Sequence, residues 1–368
     1  MKVGQELVKE KITSGQAIQL MIFVVLPTAV LFLPALTAKI AQQDSWLAPL
    51  ISTLGGFFIA LLVKGFTKYY PAQTLFQWGE SIAGKYLGKI IGTAYVFWFV
   101  HTNAIILREF GSFMTNVFFP KTPMLAIIIP LTVLLIYALL LGIEVYARLA
   151  ELFFPLFLLI VIGLHLLSIP FFDMTLLLPF LAEGWQPVIE SSFTPFAWRG
   201  ELILLAMLIP FLARPEKAAT VVAWSSIILG IILTFSTIGI LMVYGPNLTE
   251  SMNYPFFFLA RLVSIGEFIE RFDAFIMLAW VPALFIKAGM FLFAASLGAA
   301  QVLNVKDYRP FVPATAVVMT ALSILIFESD VEMTEFIVNV FTPVAFWFEY
   351  WIPAVLLLLG FIRRTLRV

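Results

Sequence analysis

The stretch FTPFAWRGELILLAMLIPFL, residues 193–212, decides how this chain is read. Its second half is an unbroken apolar run, and the whole is about as long as a helix needs to be to cross a ~30 Å hydrocarbon layer. Its first half is wrong for a passive span. Pro195 and Gly200 weaken a helix there, and Arg199 and Glu201 put two charges where apolar side chains are required. Working outward, the run Val25-Leu26-Pro27-Thr28-Ala29, with Pro34 following, sits in an earlier apolar segment over 15–40. Pro27 has no N–H and clashes with the preceding turn, so a straight helix through it is strained.

The remainder of the sequence places these two segments in a membrane. Of 368 residues, 62% are hydrophobic and only 12% charged, with mean hydropathy +1.02. A soluble domain carries about 25% charged residues, so this chain lacks the polar surface to live in water. Net charge is zero, which gives no argument for nucleic acid; the absence of cysteine removes disulfides and Cys-based metal or redox sites. The two histidines cannot build a His-rich metal site, and no cofactor is expected. Residues 2–16 are polar and lead into helix rather than into a small-residue cleavage site, so the first apolar segment reads as a span, not a cleaved signal.

Ten spans are expected, at roughly 15–40, 46–66, 88–114, 123–142, 147–169, 193–212, 218–244, 269–300, 310–327 and 336–362. Backbone groups in lipid must bond within their own segment, so these are helices. Turns fall at Tyr70-Pro71, Ile169-Pro170, Gly245-Pro246 and Arg309-Pro310. With both termini placed in the cytoplasm, the inner turns hold Lys64, Lys68, Lys85, Lys89, Arg148, Arg214, Lys217, Lys306 and Arg309. The two ends add Lys2, Lys9, Lys11, Arg363, Arg364 and Arg367. The outer side holds Lys39, Lys121, Arg261 and Arg271; the outer loop 170–192 has no Lys or Arg but carries Asp173, Glu183 and Glu190. That alternation obeys the positive-inside rule. Before the eighth span a short interfacial helix is expected at about 255–265, with Glu267 and Arg271 spaced for an i,i+4 pair.

Ten spans divide into five and five. An odd half forces the second half to enter from the opposite side, which is the topology of an inverted-repeat transporter fold. The expectation is therefore one all-α transmembrane domain, residues 1–368, with pseudo-repeats of about 10–170 and 190–363. Spans one and six, the first of each half, carry the breaks, and broken helices at matching positions point to a site. The residues that would line it are Leu26, Pro27, Thr28 and Ala29 from span one, and Ala197, Trp198, Gly200 and Glu201 from span six, with Trp98 from span three.

Ionisable residues inside a membrane are expensive enough to be functional candidates. Glu201 either faces a cavity, meeting a ligand ammonium or carrying a proton, or pairs with Arg199 to steady the helix. Lys287 has no charged residue within a turn, so it faces the interior, snorkels, or gives up its proton. His101 is a further proton-linked candidate, against the alternative of a packing residue. His165 lies toward the outer end of span five, Arg108-Glu109 within a turn or two of the outer surface, and Glu144 and Arg148 form an i,i+4 pair at the cytoplasmic turn near Glu151. No P-loop, G-x-S-x-G, H-E-x-x-H or Cys/His cluster is present, so an enzyme is not expected.

Four stretches carry a family resemblance across essentially the whole chain: Leu33-Pro34 followed by Asp44-Ser45-Trp46; GIEVYARLAE at 142–151; Arg214-Pro215-Glu216-Lys217; and, most specifically, RLVSIGEFIERFDAFIMLAW at 261–280. The chain resembles the B subunits of the nutrient germinant receptors of bacterial spores, a branch of the amino acid–polyamine–organocation transporter superfamily. The resemblance implies a ligand sensor in the inner membrane of the spore. Its partners would be a larger A-type membrane subunit and a C-type lipoprotein. It would hold a small nutrient, often an amino acid, between broken spans one and six with help from three and eight. A proton-coupled amino-acid transporter is the alternative. One departure matters: the span-one break has Pro27 and no glycine, which weakens the backbone N–H cradle that such proteins offer a carboxylate. In sodium-independent relatives a buried lysine can stand in for sodium, and Lys287 is the residue here to which that would apply.

Overall fold

In the computed structural model, which describes residues 10–263 and 273–365, the chain is helical throughout apart from a single bridge of Ile12 with Leu212. Among the described residues nine helices are long and apolar enough to cross a membrane, and a shorter apolar helix, Arg309–Leu325, stands in the place of the expected ninth span, with Asp330–Thr365 as the tenth. The ten-helix architecture follows the hydropathy, with longer helices than the apolar runs alone suggest. The third span runs Lys85–Val117 and the seventh Ala218–Ser251, the latter turning at Gly245, whose φ of 67° sits just before Pro246. The loop expected at 170–192 contains a short helix, Trp185–Ser191, and a short helix Pro255–Leu262 precedes the eighth span, Asp273–Val302. The expected Glu267–Arg271 pair lies outside the described residues.

Each helix starts where its local chemistry dictates. Thr13 opens span one with a capping box: its hydroxyl accepts from the Gln16 N–H, and the Gln16 side chain accepts from the Thr13 N–H. Span five starts after Gly142, whose φ of 115° suits only glycine. The free N–H of Ile143 at that helix start donates to Glu10 Oε2 at 2.8 Å, and Arg309 holds the other Glu10 oxygen at 3.1 Å. Ile12 meanwhile pairs with the end of span six, donating to Phe211 O at 2.8 Å and accepting from Ala213 N at 2.9 Å. The segment before span one thus ties together one end of spans five, six and nine.

Among the nine long described helices, spans one and six are the most enclosed, and spans four, five and ten the least. Span one packs along span seven and also meets spans five, six and eight, while span three packs along span eight. Leu20 through Leu26 are wholly or almost wholly buried, as are Leu202 through Ile209. Two interior helices surrounded by lipid-facing ones place any polar group on them in the protein interior, where it needs an internal partner.

A buried ion pair and cavity between the broken spans

The two expected breaks turn out differently. Span six leaves α-helix at Gly200, passes through a 3₁₀ turn at Glu201–Leu204, and turns tight again at Ile209–Phe211. Span one keeps α-helical form from Ser14 to Ala41 with Pro27 and Pro34 inside it. The break expected there is not seen; the Pro27 carbonyl accepts from Trp280 Nε1 at 2.7 Å, a side chain of span eight.

Beside these two stretches lies a cavity of about 20 Å³, lined by Thr28 of span one, Thr102, Ile105, Ile106 and Glu109 of span three, Trp198 and Glu201 of span six, Lys287 of span eight, and Ile337 and Phe341 of span ten. Its wall is an ion pair. Lys287 Nζ donates to Glu201 Oε2 at 2.8 Å, to Glu201 Oε1 at 3.1 Å and to Thr28 Oγ1 at 2.9 Å. An ammonium has three protons, and all three find oxygen. Lys287 is 1% exposed and Glu201 3%, so the pair is shielded from water. One side chain therefore cross-links spans one, six and eight.

Of the residues named from sequence, Thr28, Trp198, Glu201 and Lys287 meet at this cavity. Leu26, Pro27, Ala29, Ala197 and Gly200 are buried beside it without lining it. Trp98 is displaced: its ring stacks between Phe341 and Phe348, with centroids 5.0 and 4.9 Å away. His101 lies on the same span against Phe336, ring centroids 5.6 Å apart, and also stays out of the cavity. His165 is buried, its Nδ1 beside Val161 O at 2.8 Å and its ring packed on Phe235.

One of the two alternatives for Glu201 is corrected. Arg199 does not pair with Glu201; it turns to span two, where Nε donates to Ser52 Oγ at 3.3 Å and Nη2 to Pro49 O at 3.4 Å. Two positions apart on a helix, the side chains diverge by about 200°, so one faces span two and the other span eight. Glu109 is 4% exposed and lines the cavity. The sequence signal for it was available, since Thr102, Ile105, Ile106 and Glu109 follow i, i+3, i+4, i+7 spacing and share one helix face. Ile337 and Phe341 carried no such signal. They bound a π-helical turn, Ile337–Phe341, in span ten, and a second, Phe346–Trp351, follows. Such turns are rare and frequent at functional sites.

Comparison with known proteins adds independent findings. A family model described as "Spore germination protein" matches residues 11–331. Spore germination protein KB of Bacillus subtilis (strain 168) is 29% identical over 306 residues, covering 81% of this chain and 80% of that protein. Spore germination protein YndE of the same organism is 28% identical over 301 residues, covering 80% and 82%. Spore germination protein XB of Bacillus anthracis is 25% identical over 303 residues, covering 82% and 84%. Among solved structures, MHP1, a nucleobase-cation-symport-1 family transporter in a closed conformation with bromovinylhydantoin bound, superposes with a TM-score of 0.70. That match covers 95% of this chain and 78% of the other at 11% identity, so it establishes a shared transporter fold.

Proposed function

The chain belongs to the spore germination protein family, and on that premise we propose that it is the nutrient-sensing membrane subunit of a spore germinant receptor, binding a small nutrient at the cavity between spans one and six. One observation carries the reading: the Lys287–Glu201–Thr28 cross-link stands where three spans meet at a cavity. An ion pair in so dry a place is weak evidence for stability and strong ground for a functional role. The expected ligand class is a small amino acid. The expected partners are an A-type membrane subunit and a C-type lipoprotein. The expected location is the inner membrane of the spore, with both termini cytoplasmic and one transmembrane domain built from pseudo-repeats of about 10–170 and 190–363.

A volume of about 20 Å³ admits about one water, so the site as it stands is too small for a nutrient. Binding a nutrient requires its walls to part, and a ligand that favours the parted state shifts the population toward it. That coupling is what a sensor needs: chemical occupancy becomes a change in helix packing that a partner subunit can read. The experiment is deletion of the gene, then replacement by the wild-type chain or by Lys287→Met, with spore germination followed across a panel of nutrients. Loss of response to one nutrient class, restored only by the wild type, supports the proposal. Unchanged responses to every nutrient in spores with no other receptor would refute it.

A second reading, a proton-coupled amino-acid transporter, draws on the buried carboxylates at the cavity and on the fold. Uptake of labelled amino acid by the purified chain in liposomes, abolished by Glu201→Gln, would favour transport. Ligand binding without uptake would favour sensing.

A further inference from the structure

Three charged side chains meet the cavity, Glu109, Glu201 and Lys287, and two of them satisfy each other. Lys287 has spent its three protons on Thr28 and Glu201. Glu109 is left over. It is 4% exposed, it faces the cavity, and among the described residues no hydrogen bond or ion pair holds it. Arg108, its neighbour in sequence, turns elsewhere and donates to Ile324 O. About two turns back on the same face, the Thr102 hydroxyl is also buried without a partner. The rest of the unengaged lining is hydrocarbon and ring, Ile105, Ile106, Ile337 and Phe341, with the indole of Trp198 and its single N–H donor.

The unmet demand of the cavity is thus for one cation with hydrogens to donate, beside one hydroxyl and an apolar wall. A buried carboxylate without a partner is costly, and a ligand ammonium supplies the charge and the donors together. For a ligand carboxylate the cavity has no free cation, because Lys287 is already held by Glu201 and Thr28. We propose that Glu109 is the residue that binds the ligand's ammonium group, and that the site selects small molecules carrying a protonated primary amine on an apolar body, with no requirement for their carboxylate. This rests on the nutrient-binding reading above and names the chemistry of its ligand.

The test is binding to the purified full-length chain in lipid nanodiscs, measured by calorimetry. The probes are the standard amino acids, their carboxamides, their N-acetyl derivatives and glucose. Free amino acids of small apolar side chain and their amides are expected to bind alike, and the N-acetyl derivatives and glucose not at all. Glu109→Gln should weaken that binding about 10- to 100-fold, the range of a lost charge-assisted bond. Glu109→Asp, which keeps the charge, should lose less and guards against misfolding as the cause. Binding of glucose or of an N-acetyl derivative, unaffected by Glu109→Gln, overturns the inference and leaves nutrient sensing standing. Amino acids that bind while their amides do not overturn the carboxylate-independent part. A folded chain that binds none of the probes overturns both the inference and the reading beneath it.

Discussion

Lys287 shows how one residue holds a membrane bundle together. Removing it leaves Glu201 buried without its counter-charge, which costs about 3–5 kcal/mol. Lys287→Met is therefore expected to lower the unfolding temperature markedly in detergent, and adding Glu201→Met should recover much of that loss. A double-mutant cycle measures the coupling; additive losses would mean that the pair contributes nothing as a pair. Gly200 is a second such point. A Cβ there would collide with Glu349 and with Tyr350 Cε2 of span ten. The ring of Tyr350 is held in place by its hydroxyl, which donates to Phe196 O at 2.6 Å. Gly200→Ala should destabilise by about 1–3 kcal/mol through overpacking, read from denaturation midpoints. Glu349→Ala in the same chain should return part of it by making room.

Helices meet here at positions where one gives up something for another. Trp280 of span eight takes the Pro27 carbonyl of span one, and Trp280 is itself packed on Phe113 of span three at 4.6 Å between centroids. Trp280→Phe keeps most of the ring and loses the bond, so a loss of about 1 kcal/mol is expected, together with a change in ligand response if the Pro27 turn is part of the site. At the end where the chain starts, Glu10 caps span five and pairs with Arg309. The Glu10→Ala variant is expected to show faster hydrogen exchange at Ile12 and Ala213, whose amides depend on the strap being seated. Unchanged exchange would mean that the Ile12–Leu212 bridge holds the strap alone.

At the scale of the whole molecule, the cavity is too small for a nutrient and the chain has no cysteine. A single thiol at Thr102, 2% exposed, can report access cleanly. Thr102→Cys is expected to react slowly with a small thiol reagent, and more slowly still once an amine ligand occupies the site. Fast reaction in the unliganded chain would show that an open form dominates in the membrane. Motion of the bundle has a natural place to start in span ten, whose two π-helical turns bracket Thr342–Ala345 and place Phe341 against the cavity. Among the nine long described helices, spans four, five and ten are also the least enclosed, so span ten can shift against lipid with less repacking than spans one or six require.

The order and number of the spans were legible in the amino acids, because bilayer thickness converts hydropathy along the chain directly into helices. So was the break at Gly200, since proline and glycine act on their own backbone wherever they sit. Depth and facing were not. The third span has 33 residues, far more than ~30 Å of lipid requires at about 1.5 Å per residue. Sequence alone therefore could not say where along it Glu109 lies relative to the cavity. Nor could it pair charges 86 positions apart: Glu201 meets Lys287 rather than Arg199 because helix rotation and register, set by packing among ten helices, aim the two neighbours in opposite directions. The residues on span six announced a site, and only their neighbours in space decided which of them line the cavity.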